Sequence, residues 1–337
     1  MTRRYCNLWE KFISQDNFET AADLAVHGKK DKVAIHSFLS QRCDKLAALR
    51  ERLIHGTFRT SAYHAREIFR PKQRTIYVLP LYPDRIVQHA LINILGPIWQ
   101  SSFIYDSYAC LRGRGLHAAS RRVMQFIHRN RYVLHCDIRK FYPSINHNIL
   151  LNIISRKVRD TRIMELIRDI VCSIGGETNV PIGNLTSQWF GNVYLNELDH
   201  FVQQDLHMHD YIRYCDDFLV FSNDKSLLNK ILVRIGEFIH DKLSLEFSKC
   251  VVYPTSHGVD FIGYRHFRKY ILLRRRTAKR VRKNILNIIR HGDTSLHARG
   301  CVASAYGWAR WANTYNFRRK LFCGVPREDK FRKIMAV

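Results

Sequence analysis

No stretch of this 337-residue chain approaches the ~20 consecutive apolar residues that a membrane-spanning helix needs. The longest candidate, "ALINILGPIW", is interrupted by Asn93 and Pro97. The N-terminal "MTRRYCNLWEKF" holds no apolar signal core, so a cytoplasmic protein away from membranes is expected. No pair of the nine cysteines has CxxC spacing, which suits reduced thiols better than disulfides or zinc. "HMH" at His207–His209 has no second ligand cluster and reads as a surface loop. Internal repeats and low-complexity linkers are also absent. Above all, acidic residues are scarce, with 29 Asp and Glu against 55 Lys and Arg, a net charge of +26.

That charge is uneven. From Arg265 to Val337 there are 20 Lys and Arg against 3 Asp and Glu, so 20 − 3 = +17 falls in this segment. A field of this size calls for a polyanion, and nucleic acid is the fitting class. With 46% hydrophobic residues the chain can still bury a large core, divided into two or three subdomains.

Periodicity gives a coarse map. Helical spacing runs through the first 35 residues, then through "SFLSQRCDKLAALRERLIHGTF", which Gly56 closes. "YHAREIFRPKQRTIYVLPLYPDR" reads as two short strands about a basic turn, and "RIVQHALINILGPIW" as a buried helix. A buried strand from Tyr132 to Cys136 delivers Asp137, and amphipathic helices follow over about 147–173. "YIRYC" and "FLVFS" form a hairpin with Asp216 and Asp217 as its two-residue connection. A helix at 225–242 leads to two further strands, "LSLEFSKCVVY" and "GVDFIGYRHF", and a basic, mostly helical remainder. Strands and helices mix without strict alternation, which favours an α+β fold.

The Asp-Asp pair is compatible with turn chemistry alone, since aspartate tolerates tight turns. Asp137 on a second strand opens another reading. A sheet that sets these strands side by side converges three carboxylates, which repel one another unless cations neutralise them. In a protein of this charge the economical occupants are two Mg²⁺ ions with oxygen ligands and substrate phosphates. That chemistry is nucleotidyl transfer.

These residues also carry a resemblance. "YCDD" (Tyr214 to Asp217) resembles the Tyr-x-Asp-Asp box of reverse transcriptases, and "CDIRKFYPSI" their strand with the first catalytic aspartate. "LSLEFSKC", bearing Lys249, and "FIGY" (Phe261, Ile262, Gly263, Tyr264) are similar to the two motifs that follow, the second being the primer grip. All four occur in order. "PIGNLTSQ" has Ile182 where most reverse transcriptases have glutamine, and Gln188 where they have proline. With "DSYACLRGRGLHAA" and "YGWARWANTYNF", it resembles the reverse transcriptases of diversity-generating retroelements.

The resemblance implies a right-hand polymerase fold. Its parts would be an N-terminal helical extension at 1–35, fingers at 36–120, a palm at 121–270 and a basic helical thumb at 271–337. Part of the fingers would be inserted in the palm near 147–185. It implies Asp137, the Ile138 carbonyl, Asp216 and Asp217 as ligands of two Mg²⁺ ions, for which Mn²⁺ can substitute, and Lys249 as a proton donor to pyrophosphate. Lys72, Arg74, Tyr142, Ile182, Gly183 and Gln188 would bind the incoming dNTP. Arg274, Arg275, Arg276, Lys279, Arg280, Arg282 and Lys283 would hold nucleic acid. The implied partners are a template-repeat RNA, its RNA–cDNA duplex, and a basic, oligomeric accessory variability protein in a bacterial or phage-encoded system. The implied product is cDNA with errors at template adenines. Two alternatives stay open: another bacterial reverse transcriptase, of the defence or group II intron kind, and a non-catalytic RNA-binding scaffold.

Overall fold

The structure is a computed structural model and describes residues 4–28, 33–69 and 73–323. Helices α1 (Trp9–Ile13), α2 (Gln15–Val26), α3 (Val33–Leu39) and α4 (Arg42–Ile54) precede the hairpin β1 (His64–Ile68) and β2 (Arg74–Val78). Helix α5 (Ile86–Gln100), helix α6 (Leu116–Arg129) and strand β3 (Tyr132–Ile138) follow. Next come α7 (Phe141–Ser144), α8 (His147–Ser155), α9 (Thr161–Val171) and α10 (Leu185–His200). The hairpin β4 (Tyr211–Tyr214) and β5 (Asp217–Ser222) precedes α11 (Lys225–Leu243) and β6 (Phe247–Pro254). The chain continues through β7 (Val259–Phe261), β8 (Tyr264–His266), β9 (Ile271–Leu273), α12 (Arg275–His291), α13 (Leu296–Trp311) and α14 (Tyr315–Phe322). The described hairpins are antiparallel, and the α+β class expected from the sequence is the class observed. No helix among the described residues is long and apolar enough to cross a membrane.

The chain forms two compact units. The first comprises Met1–Cys110, Asp137–His207 and Val233–Lys249. Its centre is α5, whose Ile86, Val87, Ala90, Leu91, Leu95 and Trp99 are buried at helical spacing. Helix α10 packs on α5: Gly96 leaves room for the Trp189 ring, and Trp99 meets Phe190 edge-on at 6.0 Å between centroids. Helix α4 ends at Ile54, and Gly56 follows with φ of 66°, the left-handed conformation that closes a helix without a side-chain clash.

The second unit comprises Leu111–Cys136, Met208–Leu232 and Cys250–Val337. Strands order β4-β5-β3-β6 in one sheet. Phe126 of α6 lies on Phe221 of β5, ring centroids 5.4 Å apart, and each such buried phenyl contributes about 1.5–3 kcal/mol. A separate cluster joins α12, α13 and α14 through Val281, Ile285, Ile288, Val302, Ala305 and Leu321. "GVDFIGYRHF" is not one strand. Ile262 and Gly263 both have positive φ, 47° and 87°, the pattern of a two-residue turn that folds β7 back on β8. "HMH" is irregular, with His207 and His209 exposed.

Candidate active site

In the second unit, the register pairs Tyr214 with Asp217 across the hairpin. The turn is therefore Cys215-Asp216, not Asp216-Asp217, and Asp217 is already a strand residue. Cys215 sits at φ of 56°, a left-handed conformation that costs a non-glycine residue about 1 kcal/mol. A buried cation braces it, since Arg213 is 0% exposed and its Nη1 donates to the Cys215 carbonyl at 3.0 Å. Asp217 is held separately: the His135 Nε2–H donates to its Oδ1 at 2.7 Å. His135 is buried on β3, and its Nδ1 has no hydrogen-bond partner among the described residues.

Further along β3 lies Asp137, counted with the first unit. It is half-buried, and the Ser248 hydroxyl donates to both its Oδ2 and its carbonyl. Next to it Ile138 is 2% exposed, and the Arg139 N–H donates to the Glu246 carbonyl at 2.8 Å. Tyr142, half-buried on α7, lies against Gly191 of α10, where a Cβ would come within 3.2 Å of its ring. A side chain there would push that ring back by a few tenths of an ångström.

The segment holding Ile182 and Gly183 docks on β2. The Tyr77 N–H donates to the Ile182 carbonyl at 2.8 Å. Gly183 has φ of 122°, and a Cβ there would meet the Tyr77 carbonyl oxygen at 2.6 Å. Tyr63 secures the same segment: its hydroxyl lies 2.8 Å from Ser173 Oγ and accepts from Asn184 Nδ2 at 3.0 Å. Arg74 is exposed at the start of β2, Gln188 is exposed on α10, and Lys249 is exposed on β6. Lys72 lies outside the described residues.

In the second unit, Phe261 and Tyr264 are fully buried, so the accessible part of that turn is Ile262 and Gly263. Gly263 faces Trp308, whose ring a Cβ would meet at 2.6 Å. Arg274 forms an ion pair with Asp260 at the start of α12. Arg275, Arg276, Lys279, Arg280, Arg282 and Lys283 are exposed, while Val281, Ile285 and Ile288 face the core. Among the C-terminal aromatics, Trp308 and Trp311 pack against the core cluster and Tyr315 is 68% exposed.

No three His, Cys, Asp or Glu side chains among the described residues form a ready-made metal cage. The donor chemistry nonetheless fits Mg²⁺. Carboxylate oxygens are its preferred protein ligands, and it takes only one or two of them together with waters and substrate phosphates. The sequence reading missed His135 and Ser248. His135 carried a signal, because it lies two residues before Asp137 and alternate strand residues share a face.

An α+β chain with an aspartate hairpin and a basic helical C-terminal region is the class of nucleic-acid polymerases. The family profile described as reverse transcriptase (RNA-dependent DNA polymerase) matches residues 69–266, and the chain belongs to that family and its right-hand fold class. It is 25% identical to Protein YkfC of Escherichia coli (strain K12) over 275 residues, covering 67% of this chain and 72% of that one. It is 23% identical to the group II intron-encoded protein LtrA of Lactococcus lactis subsp. cremoris over 258 residues, covering 55% and 43%. With the retron Ec73 reverse transcriptase of Escherichia coli it shares 28% identity over 176 residues, covering 47% and 52%. The match thus spans about half the length of the latter two relatives or less.

Proposed function

We propose that this chain is an RNA-directed DNA polymerase in which Asp137, Asp216 and Asp217 form one metal-binding set. The observation that carries the reading is the Cys215-Asp216 turn with Asp217 beside it, inside the span that matches the family. The Ile138 carbonyl completes the ligand set for two Mg²⁺ ions, or Mn²⁺ in their place. When bound, such ions supply activation of the primer 3′-hydroxyl and neutralise the leaving pyrophosphate.

The chain's own residues do the rest. Arg74, with Lys72, binds the triphosphate of the dNTP, where fixed cations offset developing charge. Tyr142 lies beneath the sugar and leaves no room for a 2′-hydroxyl, and its place against Gly191 fixes the ring. Ile182, Gly183 and Gln188 shape the space around the nascent base pair. Lys249 donates a proton toward pyrophosphate. The Ile262-Gly263 turn, supported by buried Phe261 and Tyr264, holds the primer end. The exposed cations of α12 take the phosphates of the RNA–cDNA duplex.

The finer reading is the diversity-generating type, acting in the bacterial cytoplasm on a template-repeat RNA together with a basic accessory variability protein. "PIGNLTSQ" supports it. Ile182 cannot donate the hydrogen bonds a glutamine offers, and apolar contacts discriminate by far smaller factors than polar ones. The relatives favour a second reading, another bacterial reverse transcriptase of retron or intron kind.

Extension of a DNA primer annealed to RNA, with dNTPs and Mg²⁺, tests the activity, with Asp216→Ala as the inactive control. No extension by the wild-type chain with Mg²⁺ or Mn²⁺, alone or with the accessory protein, overturns it and leaves the scaffold reading. Sequencing the product separates the two polymerase types. Errors concentrated at template adenines are expected of the diversity-generating type, and uniform errors refute it; fewer such errors are expected in Ile182→Gln, and an unchanged error rate there refutes the part assigned to Ile182.

A further inference from the structure

At the end of the β4-β5-β3-β6 sheet away from the hairpin turn, a cleft of about 750 Å³ opens within the second unit. Strand β5 runs from Asp217 to Ser222 and Asn223 follows it, so this end lies about 20 Å from the hairpin at ~3.3 Å per residue. His128, Arg129, Arg131, Asn223, Ser256 and Arg268 are among its lining residues, and no carboxylate is among them.

An ordinary explanation for cations here is the C-terminus of α6, whose last carbonyls attract positive charge. Neutral donors already occupy several carbonyls at and just past that end. Phe126 O accepts from the Asn130 backbone and side chain at 3.0 Å. Arg129 O accepts from Asn223 Nδ2 at 3.1 Å, and Asn130 O from Thr255 Oγ1 at 2.9 Å. Arg131 O accepts the Thr255 N–H at 2.8 Å. Among the described cations Arg268 reaches a terminal carbonyl, that of His128, and at 3.4 Å the contact is weak.

Charge pairing does not account for the cations either. Asp210 accepts from Arg129 at 2.9 Å and Asn130 at 2.6 Å, the Asp224 carboxylate accepts from the Ser226 and Leu227 N–H groups, and neither Arg131 nor Arg268 forms an ion pair among the described residues. Both are exposed.

We infer that this cleft is a second nucleic-acid site, in which Arg131 and Arg268 bind backbone phosphates of a folded RNA outside the template–primer duplex. Guanidinium groups match phosphate oxygens in a two-pronged geometry. The lining has few apolar groups (Ile127, Tyr132 and Pro254), whereas protein interfaces are anchored by a desolvated apolar core and RNA interfaces are polar and positive. The choice of RNA rests on the proposed RNA-directed activity. The site lets the protein keep hold of structured template while the duplex advances.

The test uses the full chain and bulk transfer RNA as a folded probe, with binding followed by fluorescence anisotropy across a salt series. Arg131→Gln with Arg268→Gln is expected to weaken binding about tenfold and to reduce the salt slope by about 2, at ~0.9 per lost phosphate contact. Replacing both by Lys is expected to restore most of the slope. The double Gln variant is expected to melt like the wild type and to extend a short oligo(dT)–oligo(rA) substrate normally. An unchanged affinity and slope overturns the inference. So does loss of poly-glutamate binding with transfer RNA binding intact, which assigns the cleft to an acidic protein. If the wild type binds RNA through the cleft yet extends no primer, the polymerase reading fails and the cleft stands.

Discussion

His135 donates from Nε2 to Asp217 Oδ1 across 2.7 Å, from a side chain only 6% exposed to one 26% exposed. The bond turns the second aspartate of the hairpin into a fixed carboxylate rather than a swinging one. Outer partners of metal-binding carboxylates set their orientation, and their loss costs 10–100-fold in affinity or activity. His135→Ala is expected to lower primer extension by about 10–100-fold and to raise the Mg²⁺ concentration needed. Its Mg²⁺-induced rise in melting temperature is expected to shrink as well. His135→Gln, which keeps an N–H donor, is expected to recover much of both. An unchanged Mg²⁺ requirement in the alanine variant would reduce His135 to a packing residue.

Gly183 is the second position where the backbone decides. Its φ of 122° and the Tyr77 carbonyl 2.6 Å from a would-be Cβ leave an alanine nowhere to go without moving β2. Strain of this kind costs about 1–3 kcal/mol. Gly183→Ala is expected to melt several degrees lower and to raise the apparent KM for dNTP, because the bond from Tyr77 to Ile182 is the tie that must yield. Gly300→Ala is the control. Nothing lies within 4 Å of an added Cβ there, so the ordinary helix preference of alanine over glycine applies, worth up to about 1 kcal/mol of gain. Equal melting of the two variants rejects the explanation.

Much of this was legible from local pattern. Helix α12 follows from Val281, Ile285 and Ile288 at helical spacing among cations, and β3 from the apolar run that ends at Asp137. What stayed hidden depends on single-residue register or on distant contacts. The hairpin shifted by one residue because Cys215, not Asp217, takes the left-handed turn position. In "FIGY" the primer-grip resemblance implies a turn, but not that isoleucine takes there a conformation that sequence preference assigns to Asn, Asp or Gly. Ser248 meets Asp137 across 111 residues of chain, and no periodicity encodes such a pair. Family motifs located the aspartates without revealing what holds them.

Acid stability supplies the remaining prediction, through His266. The ring is 0% exposed between the C-terminal cluster and α6. Its Nδ1–H donates to the Val259 carbonyl at 3.2 Å, and its Nε2 accepts from the Ser120 hydroxyl at 2.8 Å. Ser120 in turn accepts the Trp311 indole N–H at 2.8 Å, so both ring nitrogens are satisfied in the neutral form. Burial, the largest influence, pushes the imidazole down to about 4, against an ordinary value of 6.5. Between those values the unfolded chain binds a proton that the folded chain does not, so stability falls as pH drops from 6.5 toward 4. The difference amounts to about 3 kcal/mol, fully present above pH 6.5 and lost below the folded value. Melting curves at pH 7, 5.5 and 4.5 are expected to show this loss. In His266→Gln, which offers an N–H donor and an acceptor without titrating, the pH dependence is expected to flatten over that interval even though the variant starts less stable. An equally steep fall in both proteins would place the acid-sensitive group elsewhere.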